Sequence, residues 1–230
     1  MLQIDLSFST LSLLGFYVAA AYLVDRSITP PNPSPSTKAE HEGDLMRVAA
    51  KLQYMRPAIF LLWLLHFTQI LFPYNRDELC LNPDLLNPDM YTWSTTTVLY
   101  FLTIFTAAIS RMAAYAQLGK NFTYRLATPS GLIKTGFYAY VQHPSYTALL
   151  VVASVNGFTM LRLDSSLACV TPRYIAAATW NPLIGIFMTL AVVALLHCRV
   201  RDEENMMKSA FGTEWEEWNR KTKKFIPFLF

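Results

Sequence analysis

Apolar and charged positions fall in blocks along this chain. Five stretches, 6–24, 57–75, 90–110, 146–161 and 174–198, hold no Asp, Glu, Lys or Arg. A bilayer crossing needs about 20 apolar residues, so the pattern predicts five membrane helices, the fourth being the shortest. The first stretch is preceded by Asp5 and lacks the basic start of a secretory signal, which predicts a retained anchor.

The segments between these blocks read differently from one another. Residues 27–38 include Pro30, Pro31, Pro33 and Pro35, which remove backbone donors and favour an extended surface linker. From 39 to 55, Leu45, Val48, Ala49 and Leu52 recur at helical spacing between basic residues, as in a helix lying on a membrane before entering it. Residues 76–94, with Asp77, Glu78, Pro83, Asp84, Pro88 and Asp89, read as a polar loop whose acidic residues form a solvated face and not a metal site. The third apolar block runs without a break into a helix that should end near Gly119. The last two blocks form a hairpin, which returns His143 and Arg199 to the same side. Beyond Glu204, Met207, Phe211, Trp215 and Trp218 recur every three or four residues, predicting one continuing amphipathic helix whose stripe serves packing, until Pro227.

Charge orients this arrangement. Arg26, Lys38, Arg47, Lys51 and Arg56 lie in the first connection; Arg111, Lys120, Arg125 and Lys134 in the third; Arg199, Arg201, Lys208, Arg220, Lys221, Lys223 and Lys224 in the tail. The alternate loops hold only Arg76, Arg162 and Arg173. The positive-inside rule then predicts a lumenal or external N-terminus and a cytosolic C-terminus. The composition, 53% apolar and 15% charged with a mean hydropathy of +0.27, agrees with a membrane protein. The net charge of +3 is spread over membrane-flanking loops, so no surface for nucleic acid is expected. Of three cysteines, Cys80 and Cys169 fall on the same predicted lumenal side, where a bridge is permitted but spacing alone does not decide it. Cys198 reads as a free packing residue, and His66 as a neutral imidazole satisfied by a neighbouring helix.

Two places carry candidate chemistry. Residues 131–146, GLIKTGFYAYVQHPSY, run from a glycine turn to His143-Pro144, where a proline suits the first turn of the fourth apolar helix. Arg199 and Glu203 follow the last apolar block four residues apart, on one face of a helix. Alone, that pair would read as an exposed ion pair worth roughly 0.3–0.5 kcal/mol.

Together with the hairpin, the Glu203-Glu204 pair and the Phe211-Gly212 that follows, these segments resemble the isoprenylcysteine carboxyl methyltransferase family over residues 118–230. That family consists of integral membrane enzymes, in eukaryotes of the endoplasmic reticulum, that use S-adenosylmethionine to esterify the carboxylate of a prenylated C-terminal cysteine. The resemblance implies that Leu132, Ile133, Tyr138, His143, Pro144, Ser145 and Tyr146 wrap the cofactor, with Ser130 and Gly131 in the same segment. Glu203 would hold it from the opposite helix, and Arg199 would meet the substrate carboxylate. Gln142 stands where many members carry arginine.

The expected fold is therefore an all-α integral membrane protein: three spans in 1–117, then a methyltransferase core in 118–230 with a cytosolic cofactor site and an amphipathic tail helix. The residue types suit the reaction. An α-carboxyl with a pKa of ~3.5 is already ionised, so no general base is required, and a guanidinium can grip it through two parallel bonds. No metal is called for. A small terpenoid-like acid or a lipid amine is an alternative substrate, and an NADPH-dependent sterol-reductase-like enzyme or a non-catalytic membrane adaptor is an alternative class.

Overall fold

The computed structural model describes residues 2–29, 31–32, 56–122, 128–177 and 182–226. The predicted surface helix at 39–55, most of the linker, and Pro227 lie outside them. Among the described residues the chain is helical, apart from one isolated parallel bridge between Val141 and Lys223.

Helix α1 (Phe8–Ile28) starts where the Ser7 hydroxyl accepts from the Thr10 amide. It continues through Asp25 and Arg26, so the helix outlasts the apolar block and runs into the expected linker. Asp25 then pairs with Arg56 at 2.6 Å, where α2 (Arg56–Leu71) begins. The chain bends by 98° at Pro73, which opens a series of single turns through residue 90.

Helix α3 (Thr95–Leu118) opens with a reciprocal capping box between Ser94 and Thr97. It ends as expected at Gly119, whose φ of 53° suits a residue without a side chain. Helix α4 (Pro144–Met160) and α5 (Pro182–Phe211) form the hairpin and pack against each other. At Gly185 an added Cβ would collide with the Phe158 ring, so a glycine permits this close approach. The most extensive packing joins α3 to α4, with α1 against α3.

Among the described residues, three helical stretches are long and apolar enough to cross a membrane: α1, the stretch from Pro88 to Asn121 that contains α3, and α5. The bent pair at Arg56–Leu71 and Pro73–Leu79 would make a fourth. Helix α4 has 17 residues, about 25 Å at 1.5 Å per residue.

An aromatic cluster fills the space between α1, α2 and α3. Tyr17 is fully buried, donates to the Met90 carbonyl at 2.9 Å, and meets the His66 and Phe101 rings edge-on. His66 is also fully buried, and its Nδ1 lies 3.0 Å from Ser166 Oγ. Its polar partner comes from the short 3-10 turn Ser166–Cys169 in the connection after α4 and not from a neighbouring long helix. That loop is tied to residues 80–84: Cys80 and Cys169 form a disulfide, Asn82 donates to the carbonyls of Ala168 and Thr171, and Arg173 pairs with Asp84. The pairing that spacing left open is thus made. Cys198 is free and half-buried.

The tail departs from the single helix read in the sequence. Gly212, with φ 49°, breaks it between α5 and α6 (Thr213–Lys221). Residues 222–226 then run beside 140–147: Gln142 N donates to Lys223 O, His143 N to Lys224 O, and Thr147 Oγ1 to Phe225 O.

Candidate active site

The site forms where the start of α4, the far part of α5 and helix α6 meet. His143 precedes α4 and Pro144 takes its first position, where the missing N–H leaves no bond unmade. One turn of α4 therefore projects Tyr146 toward α5. There the Tyr146 hydroxyl donates to Glu203 Oε2 at 2.6 Å and accepts from Arg199 Nε at 3.2 Å. The four-residue spacing puts both partners on one face of α5. Arg199 is only 5% exposed, so the surface ion-pair reading does not describe it.

These groups border an open cleft of about 860 Å³, its mouth to solvent included. Gly131, Leu132, Ile133, Tyr138, His143, Ser145, Tyr146, Arg199 and Glu203 all line it. Ser130 and Pro144 do not: Ser130 bonds through its amide and hydroxyl to Asn121 Oδ1, and Pro144 serves the helix start. The Tyr138 phenol is pushed upward first by burial and then by the Glu203 carboxylate, which keeps it protonated and able to donate.

The cleft also contains residues that the sequence reading passed over. Met207, Trp215 and Trp218 line it, so three members of the stripe read as packing belong to the cleft wall. Trp218 is held there by its Nε1, which donates to Tyr138 O at 2.8 Å. Gln142 is buried, and its Nε2 donates to Thr222 Oγ1 at 3.0 Å and to the Asn219 carbonyl at 3.2 Å. Glu204 takes Lys224 on Oε2 at 2.8 Å and has His143 Nε2 3.5 Å from Oε1. Gln142 and Glu204 adjoin residues already singled out, which was the available signal. Arg111 had none: it directly follows the third apolar block and reads as a loop charge, yet it is 1% exposed.

The cleft suits a nucleoside-containing ligand with a charged end. Leu132, Ile133, Trp215 and Trp218 give apolar and aromatic walls. Gln142 Oε1 is a buried acceptor without a hydrogen bond among the described residues, and leaving such an atom unsatisfied costs roughly 1–3 kcal/mol. Donors on a ligand would relieve that cost.

Comparison with known proteins agrees with this geometry. Residues 98–209 match the model of the "Isoprenylcysteine carboxyl methyltransferase (ICMT) family", starting some 20 residues before the resemblance read in the sequence and thus taking in almost all of α3. The "Probable protein-S-isoprenylcysteine O-methyltransferase" of Oryza sativa is 25% identical over 63% of this chain and 68% of its own length. The Saccharomyces cerevisiae and Homo sapiens proteins named "Protein-S-isoprenylcysteine O-methyltransferase" are each 26% identical, over 65% and 60% of this chain. Those alignments span 59% of the yeast protein and 43% of the human one. Residues 98–209, which hold the start of α4 and the Arg199–Glu203 face of α5, are thus similar to the isoprenylcysteine carboxyl methyltransferase family.

Proposed function

We propose that this chain is an integral membrane methyltransferase that uses S-adenosylmethionine to esterify the C-terminal carboxylate of a prenylcysteine. The observation that carries the reading is the Tyr146 hydroxyl bridging buried Arg199 and Glu203 inside a cleft of this family. Bound S-adenosylmethionine supplies a methyl group on a cationic sulfur, so transfer to a carboxylate oxygen cancels both charges and needs no general base.

The protein's part is positioning. Arg199 grips the substrate carboxylate, and a planar guanidinium fixes the direction that its attacking oxygen faces. Holding two reactants in an attack geometry can lower the barrier by ~7–11 kcal/mol in favourable cases. Glu203 offers an anion to the cofactor's hydroxyl or ammonium groups, and Tyr146 keeps it beside Arg199 without letting the carboxylate occupy the guanidinium face. The Trp215 and Trp218 walls exclude water from the reacting atoms. Gly131, Leu132, Ile133, Tyr138, His143 and Ser145 complete the cofactor's surroundings, with Ser130 and Pro144 shaping the segment from outside the cleft.

The cleft and the Cys80–Cys169 disulfide lie at opposite ends of α4. Disulfides persist in oxidising compartments, and the basic residues cluster at the cleft end. Both facts support a five-crossing topology in which α2 and α4 also span, with the cleft and C-terminus in the cytosol. The endoplasmic reticulum is the membrane that this orientation and the family favour.

The test is transfer of label from S-adenosylmethionine by the purified, lipid-reconstituted protein to N-acetyl-S-farnesylcysteine and, separately, to its amide. Base-labile label on the acid alone is expected. Cofactor binding without transfer to either would overturn the prenylcysteine assignment and direct attention to another lipophilic acid.

A further inference from the structure

Among the described residues, the most deeply buried charge is Arg111, 1% exposed near the end of α3. Its Nε donates to Ser27 O at 2.7 Å in the last turn of α1. Its Nη1 donates to Ser145 O at 2.6 Å and to Ser145 Oγ at 2.8 Å in the first turn of α4. The guanidinium lies 4.7 Å from the Tyr115 ring, and the Tyr115 hydroxyl donates to the same Ser27 carbonyl at 3.1 Å. Three helices therefore converge on one side chain.

Stability alone is a weak reason for this arrangement. Desolvating a guanidinium costs several kcal/mol, which well-packed apolar groups would not incur. Helix dipoles do not decide the matter, since Arg111 meets both the negative end of α1 at Ser27 and the positive end of α4 at Ser145. What the contacts do determine is an orientation. Ser145 O belongs to the rigid peptide plane that joins Ser145 to Tyr146. One edge of that plane is held by Arg111, and the other by the Tyr146 amide donating to His143 O at 3.1 Å. The next group along is the Tyr146 side chain, whose hydroxyl reaches Glu203 and Arg199.

We propose that Arg111 is a positioning residue: it clamps the Ser145–Tyr146 peptide so that the Tyr146 hydroxyl meets both Arg199 and Glu203. It touches neither ligand and acts through Tyr146. Its effect on rate rests on the methyltransferase reading, whereas its effect on the first turn of α4 does not.

The variants are Arg111→Lys, which keeps the charge but cannot span Ser27 O and Ser145 together, and Arg111→Met, which keeps the length. In the reconstituted full-length protein, amide hydrogen exchange across 143–149 should rise about tenfold in Arg111→Lys while the rest of α4 stays protected. Its kcat should fall about tenfold, and in a Tyr146→Phe background the same Arg111→Lys change should lower activity no further, because both changes break one linkage. Multiplying effects of Arg111→Lys and Tyr146→Phe, or unchanged exchange in 143–149, would overturn the proposal. If the wild-type protein methylates no prenylcysteine acid, the functional assignment fails while the exchange result still decides the role of Arg111.

Discussion

Removing a single oxygen, in Tyr146→Phe, tests the centre of the proposed site. The ring would remain stacked near His143, 5.5 Å between centroids, so packing changes little. What disappears is a 2.6 Å bond to Glu203 and a 3.2 Å bond from Arg199. Hydrogen bonds to charged groups are worth roughly 1.5–3 kcal/mol net, and the carboxylate and guanidinium would then be held only by their remaining contacts. If most of that loss appears in the transition state, kcat/KM should fall by about 10- to 100-fold, at 1.4 kcal/mol per factor of ten. Steady-state methylation of N-acetyl-S-farnesylcysteine, with both substrates varied, would locate the loss. Glu203 is assigned to the cofactor and Arg199 to the acid, so KM should rise for both while the thermal midpoint stays within a few degrees. A variant within twofold of wild type on both substrates would show that the hydroxyl bridge is incidental and would refute the reasoning.

Three other perturbations separate the parts. Glu203→Ala should weaken S-adenosylhomocysteine binding about tenfold or more, measured by quenching of Trp215 and Trp218, whereas Arg199→Ala should bind it nearly as wild type yet transfer no methyl to the acid; wild-type turnover in both would remove these residues from the site. Gln142→Leu removes the donor that ties Asn219 and Thr222, about 1 kcal/mol per bond, so trypsin should cut at Lys221–Lys224 about 30-fold faster; unchanged protection would mean that the backbone pairing of 222–226 suffices. Cysteines placed at exposed Tyr174 and Lys208 should react with a membrane-impermeant maleimide from opposite faces of sealed vesicles; labelling from the same face would exclude the crossing of α5.

Much of this protein can be read from its sequence because membrane helices announce themselves through composition. The blocks at 6–24 and 90–110 correspond to α1 and α3, and Pro144 and Gly119 mark a start and an end that the structure keeps. The candidate pair was legible for a different reason: spacing puts Arg199 and Glu203 on one helix face, and the resemblance carried by residues 131–146 gave that face a role. Arg111 was not legible, because a positive charge beside an apolar block has the same pattern whether it enters solvent or turns inward to Ser27 and Ser145. The aromatic stripe failed similarly. Periodicity identifies the face that Met207, Trp215 and Trp218 share, but not whether that face meets a core or a cleft. Nor does it register the break at Gly212, since a helix pattern continues in phase across one residue with positive φ.

The polar groups that the protein buries are not spread evenly, and their distribution carries functional meaning. Toward the disulfide end, Ser165 bonds within its own turn and Asn82 links the loop at 80–84 to the carbonyls of Ala168 and Thr171, joining the two loops that the disulfide also joins. Toward the cleft end, Arg111, Gln142 and Tyr146 each link separate segments: α3 to α1 and α4, the start of α4 to the tail, and α4 to α5. Buried polar links of this kind add little stability over apolar packing, but they reward only one relative placement of the parts they join. A cleft assembled from four separate segments needs that selection, since apolar helix surfaces can slide against one another at small cost. At the cleft end that selection rests on polar links between helices, whereas at the opposite end a covalent bond joins the same two loops that Asn82 links.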